Sequence, residues 1–173
     1  MASDLVILQI GDIARMLRAT RFTLDRLIRR CKLRPVAVQR RKWTRMVFTL
    51  EDVGRLALAY WLHRSGLRSQ AIQDVLATKE VEGLVQNLKN AGTIETEAKR
   101  FKYLVTWRVS KSSNTGKGRR NRFDQTVALA RDFDHTHHLL EQAGQFGFLV
   151  VPLGGLLHEL AGRLREYIQQ INE

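Results

Sequence analysis

Apolar positions recur at helical spacing through the first third of the chain. Ile10, Ile13, Ala14 and Leu17 stand at i, i+3, i+4 and i+7, which predicts a short amphipathic helix after an extended lead-in over Ile7 to Ile10. Arg18, Ala19 and Thr20 form the turn, with the Thr20 hydroxyl placed to cap the next helix. Leu24, Leu27 and Ile28 make that helix's buried stripe and leave Arg21, Phe22, Asp25, Arg26 and Arg29 on its outer face. Two short helices joined so tightly cannot bury both stripes alone, so a third must close the core. Thr49 to Asp52 supplies its start, a hydroxyl cap with a carboxylate three residues on. Val53, Leu56, Ala57, Tyr60 and Trp61 keep helical spacing, Gly66 ends the helix, and Ala71, Ile72, Val75 and Leu76 line a fourth.

Between the second and third helices the period changes. Val36–Val38 and Met46–Phe48 are strand-like, and Gln39 to Arg45 join them. This predicts a hairpin whose tip is too charged to bury and suits phosphates.

Beyond residue 78 the pattern is mixed. Val81, Leu84, Val85 and Leu88 form a helical stripe that Ala91-Gly92 interrupts, giving a connecting helix over 79–100. Phe101 to Val109 alternates and is rich in aromatic and β-branched residues, a strand. Ser110 to Arg122 is a basic loop, and Phe123 to Ala130 fits strand or helix. Arg131 to Ala143 reads as helix ending near Gly144, and Phe148 to Val151 as a buried strand stopped by Pro152. Leu153, Leu157, Leu160, Leu164, Tyr167 and Ile171 are spaced 4, 3, 4, 3, 4, a heptad pattern assigned to dimerisation. Packing of that terminal helix on its own domain is the alternative use.

Composition changes the picture through charge. The chain of 173 residues carries a net +12, and residues 1–76 hold 15 Lys/Arg against 6 Asp/Glu. A bias toward one half points to a polyanion partner for that half. One cysteine, Cys31, excludes an internal disulfide framework and fits a reducing cytoplasm. No secretory leader is expected from the first residues, and the 12-residue apolar run Phe146–Leu157 is too short for a membrane span.

The ordered set Ile10-Gly11-Asp12-Ile13-Ala14, Thr20-x-x-Thr23-Leu24, Leu33-Arg34-Pro35, Phe48-Thr49-Leu50-Glu51-Asp52-Val53 and Ser65-Gly66-Leu67-Arg68-Ser69-Gln70-Ala71-Ile72 resembles the winged helix-turn-helix of MerR-family transcription regulators, over about residues 7–76. The resemblance implies a homodimer straddling a two-fold operator, with a recognition helix and a wing on each half-site. The chain departs from the family at Asp25-Arg26-Leu27-Ile28 in the second helix, at Cys31 in place of glycine, and at Thr44-Arg45-Met46 in the wing.

Candidate DNA contacts follow. Arg21, Phe22, Asp25, Arg26 and Arg29 face major-groove edges, arginine being the best reader of guanine. Arg40, Arg41, Lys42 and Arg45 hold phosphates, and Trp43 lies against sugar or anchors the hairpin. Solvated charges on a protein-binding winged helix are the plainer alternative. His135, His137 and His138, with Asp132 and Asp134, have metal-ligand chemistry but poor helical convergence, and a surface cluster is preferred. Asn114 to Gly118 lacks the spacing of a phosphate loop, and no catalytic constellation appears.

The expectation is a mainly α protein with three parts. Residues 1–78 form a winged helix-turn-helix, 79–100 a connecting helix, and 101–173 a small α/β or helical dimerisation and effector region. Its expected role is a non-enzymatic, cytoplasmic, bacterial transcription regulator binding double-stranded DNA, with RNA polymerase or an effector as further partners, no membrane association, no metal and no assigned cofactor. An excisionase-like or architectural accessory protein and an interaction module of a nucleoprotein complex are the alternatives.

Overall fold

The structure, a computed structural model, describes residues 8–33, 35–40, 43–111, 122–143 and 148–172. It is mainly helical, with two small antiparallel sheets. The front half runs β1 (Leu8–Gln9), α1 (Ile10–Met16), α2 (Arg21–Arg30), β2 (Val36–Arg40), β3 (Trp43–Phe48), α3 (Leu50–Arg64) and α4 (Ser69–Leu76). The back half runs α5 (Lys79–Asn87), α6 (Ala91–Arg100), β4 (Tyr103–Lys111), β5 (Arg122–Ala130), α7 (Phe133–Ala143), β6 (Phe148–Val151) and α8 (Leu153–Asn172).

α3 is the axis of the fold. Its start is a reciprocal cap: Asp52 N–H donates to the Thr49 hydroxyl at 3.2 Å, and Thr49 N–H donates to the Asp52 carboxylate at 3.0 Å. Val53, Leu56, Ala57 and Tyr60 are buried as the stripe predicts, but so are Leu58, Ala59 and Leu62. A helix buried nearly all round needs covering on both sides. Here α2, α4 and α5 all pack against it, and Leu88 at the end of α5 comes in so tightly that a Cβ on Gly54 would lie 2.6 Å from its Cδ1. Past the end of the helix Gly66 takes φ +93°, the left-handed conformation that glycine adopts most easily.

The hairpin is longer than its sequence suggests. β2 and β3 pair from Val36↔Val47 out to Arg40↔Trp43, and β1 adds to the other edge of β3. Backbone pairing requires no side-chain burial, so the charges that argued for a loop do not end the ladder.

Four expectations for the back half are corrected or resolved. Residues 79–100 are two helices, and the break falls at Leu88–Asn90 rather than at Ala91-Gly92. Its cause is the Asn90 side chain, which accepts from Thr93 N–H at 2.9 Å and starts a new helix with Ala91 and Gly92 in the first turn. Phe123–Ala130 is strand, paired with β4 from Tyr103↔Ala130 to Lys111↔Arg122. β6 pairs the opposite edge of β4, giving the order β5-β4-β6.

The fourth concerns the heptad stripe. Leu153, Leu157, Leu160 and Leu164 are at most 2 % exposed within the single chain, because α8 lies along α6. The contact is close at Gly154, where a Cβ would meet the Ala98 carbonyl oxygen at 2.8 Å and that of Phe101 at 3.0 Å. Only Tyr167 and Ile171 of the proposed dimer seam keep accessible surface; the leucines are spent inside. The expected boundaries at 78 and 100 fall at helix ends, but one buried cluster runs from Leu8 to Leu164 across both. Among the described residues no helix is long and apolar enough to cross a membrane.

Candidate nucleic-acid interface

The α1–α2 corner is set by local chemistry. Arg18 takes φ 48°, which turns the chain out of α1, and Ala19 N–H donates to the Ala14 carbonyl oxygen at 2.9 Å. Thr20 then caps α2, accepting from Thr23 N–H at 3.2 Å. At the far end Lys32 takes φ 54° and Leu33 N–H donates to the Ile28 carbonyl oxygen at 3.0 Å, closing the helix. Gln73 of α4 donates to the Arg30 carbonyl oxygen at 2.7 Å, so α4 holds the end of α2 in place.

With both ends fixed, α2 divides cleanly. Leu24, Leu27 and Ile28 are buried. Arg21, Phe22, Arg26, Arg29 and Arg30 are exposed. Asp25 is shared by its neighbours: Arg21 Nε lies 3.8 Å from its carboxylate, and Arg29 Nε donates to its carbonyl oxygen at 3.3 Å. Among the described residues Arg26 has no comparable tether. Phe22, 71 % exposed, places an apolar ring among these cations.

Cys31 caps the same helix and is buried, and burial raises its thiol pKa. This is a packing residue rather than a surface ligand. In the hairpin, Arg40 pairs with Trp43 at the end of the ladder and Arg45 pairs with Val38. Arg41 and Lys42, which join Arg40 to Trp43, lie outside the described residues, as do Arg34 and the loop at 112–121.

The back half reaches this unit through α8, a feature the heptad pattern did not reveal. Arg163 donates to the Met16 carbonyl oxygen and pairs with Glu159. Tyr167 shares a hydrogen bond with Asp12, and its pKa is raised, first by burial and then by that bond. Arg165 and Glu95 lock α8 to α6 at 2.5 Å. An arginine and a tyrosine one turn apart on an apparent seam helix were the available signal.

The histidines separate. His137 and His138 lie 3.6 and 3.8 Å from Glu141, whereas His135 lines a different surface, and its backbone N–H is capped by Asp132 at 2.7 Å. Among the described residues no three His, Cys, Asp or Glu side chains converge as metal ligands would. His135 belongs instead to a cavity of about 610 Å³ walled by α5, α6, β5 and α7, which sequence reasoning did not find. No protein-family model matches this chain, and no curated protein is significantly similar to it.

Proposed function

We propose that this chain is a sequence-specific DNA-binding transcription regulator of MerR-like type, its front half acting as a winged helix-turn-helix. The observation that carries the reading is the two-sided α2: three apolar residues inward, four arginines and an exposed phenylalanine outward, both ends pinned. On this reading α2 enters the major groove, Arg26 reads a base edge and Phe22 meets a thymine methyl. The hairpin with Arg40, Arg41, Lys42 and Arg45 lies over the adjacent backbone as the wing, its cations releasing counterions. The net +12 of the chain supports a polyanion partner.

A homodimer on a two-fold site follows from the family resemblance. The leucines expected at its seam are buried within one chain, so a dimer would be built from another surface. That same observation favours a second reading, an architectural or excisionase-like factor that binds as a monomer and bends DNA. Selection of binding sites from random duplexes at near-physiological salt separates the two. An inverted repeat supports the dimeric regulator, tandem direct sites support the architectural factor, and no enriched sequence overturns both.

A further inference from the structure

A smaller recess lies where the last helix meets the first and the third. It holds about 180 Å³ between the end of α1, the last turns of α3 and the first half of α8. Leu17, Tyr60 and Leu160 are buried beneath it, and Trp61 and Leu156, both half-buried, line it. An apolar cavity of about 150 Å³ accepts a benzene ring. This recess therefore has room for one ring and a small head group.

Its border is cationic. Arg18, Arg64, Glu159 and Arg163 surround the apolar floor. Arg163 is already committed, since it donates to the Met16 carbonyl oxygen and pairs with Glu159. Arg18 and Arg64 remain, both exposed, with no ion pair or side-chain hydrogen bond among the described residues. Arg64 only leans over the Tyr60 ring, its guanidinium 6.0 Å from the centre. Arg18 stands at φ 48°, in the left-handed region that glycine enters without steric cost. The turn needs that conformation but not an arginine in it, and strained side chains gather where a ligand is held.

We propose that this recess binds a small aromatic carboxylate, its ring against Trp61 and Leu156 and its carboxylate accepting from Arg18 and Arg64. Guanidinium groups donate to a carboxylate in charge-assisted pairs; an alcohol accepts more weakly, and an ammonium is repelled. A duplex phosphate is the other anion that two arginines could meet, but it has no ring to fill an apolar recess. The site goes beyond the DNA-binding reading and uses none of the residues assigned to base or phosphate contact.

The test uses benzoate, benzyl alcohol and benzylamine, which share a ring and differ in head group. Calorimetric titration of the full chain is expected to show benzoate binding, with the alcohol about tenfold weaker and the amine undetectable. Arg18→Gly suits the left-handed backbone, so it should fold, and it should weaken benzoate about tenfold while leaving the alcohol unchanged. Arg64→Met keeps an apolar stem, removes the charge and should act likewise. Equal binding of all three probes, benzoate affinity unchanged in both variants, or no benzoate binding at millimolar concentration each overturns the proposal. Loss of duplex binding in both variants without any benzoate binding also overturns it, and gives the two arginines to the phosphate backbone.

Discussion

Arg163, on the last helix, donates a hydrogen bond to the backbone carbonyl oxygen of Met16, at the end of the first. The acceptor is one of the carbonyls that a helix terminus leaves without an intrahelical partner. A residue 147 positions away in sequence therefore completes α1, and with it the corner that aims α2. Replacing Arg163 by Met keeps the aliphatic stem and removes the donor. The expected loss is about 1–3 kcal/mol in denaturant unfolding, with weaker DNA binding as the corner loosens. Unchanged stability would show that water serves the carbonyl equally well.

The α6–α8 contact makes a paired prediction about glycines. A methyl group on Gly154 would press on two backbone carbonyls that cannot step aside, so Gly154→Ala should cost about 1–3 kcal/mol. Gly162 lies inside α8 with nothing within 4 Å of its would-be Cβ, so Gly162→Ala should gain up to about 1 kcal/mol from helix propensity. Thermal melting of the two variants should move in opposite directions.

Arg26 and the hairpin cations should fail differently in DNA binding. Arg26→Ala should flatten base preference at one position of the site, costing about 1–3 kcal/mol against the preferred base only. The double change Arg41→Ala, Lys42→Ala should weaken all duplexes alike and lower the salt slope by about two. Binding isotherms across a salt series on preferred and scrambled duplexes distinguish these patterns. If neither variant changes binding, the docking face lies elsewhere.

The Glu95–Arg165 pair ties stability to acid pH. The hydrogen bond from Arg165 holds the Glu95 carboxyl below its ordinary value of 4.5. A carboxyl depressed in the folded state stabilises that state above its unfolded pKa and ceases to do so as pH falls through the folded one. Stability should therefore fall as pH drops below about 4.5, and Glu95→Gln should remove that component, lowering stability at pH 7 by the same small amount and flattening the acid limb.

Cys31 should be silent to thiol reagents in the folded chain. Burial raises its pKa and shields the sulfur, so the thiolate is scarce at pH 8. A colorimetric disulfide reagent should react at the rate of unfolding, and mild denaturant should accelerate the reaction. Immediate full reaction in buffer would place the end of α2 in solvent.

The front half was legible because its information is local. Apolar spacing placed α1, α2, α3 and α4, the Thr20 and Thr49 hydroxyls marked two of their starts, and the strand-like runs Val36–Val38 and Met46–Phe48 marked the hairpin. These signals act within a few residues, so the tertiary structure had little left to decide about them. It decided what each stripe packs against. The 4, 3, 4, 3, 4 spacing of α8 serves an intermolecular seam and an intramolecular groove equally well, and only the nearness of α6 at Gly154 shows that the leucines are covered from within. The same holds for α3, whose second buried side depends on Leu88 arriving from α5. Most of all it holds for Glu97, which looks like one more solvated charge on a helix. Its side chain is buried by the segments that pack against α6, and burial by distant segments leaves no mark on local sequence.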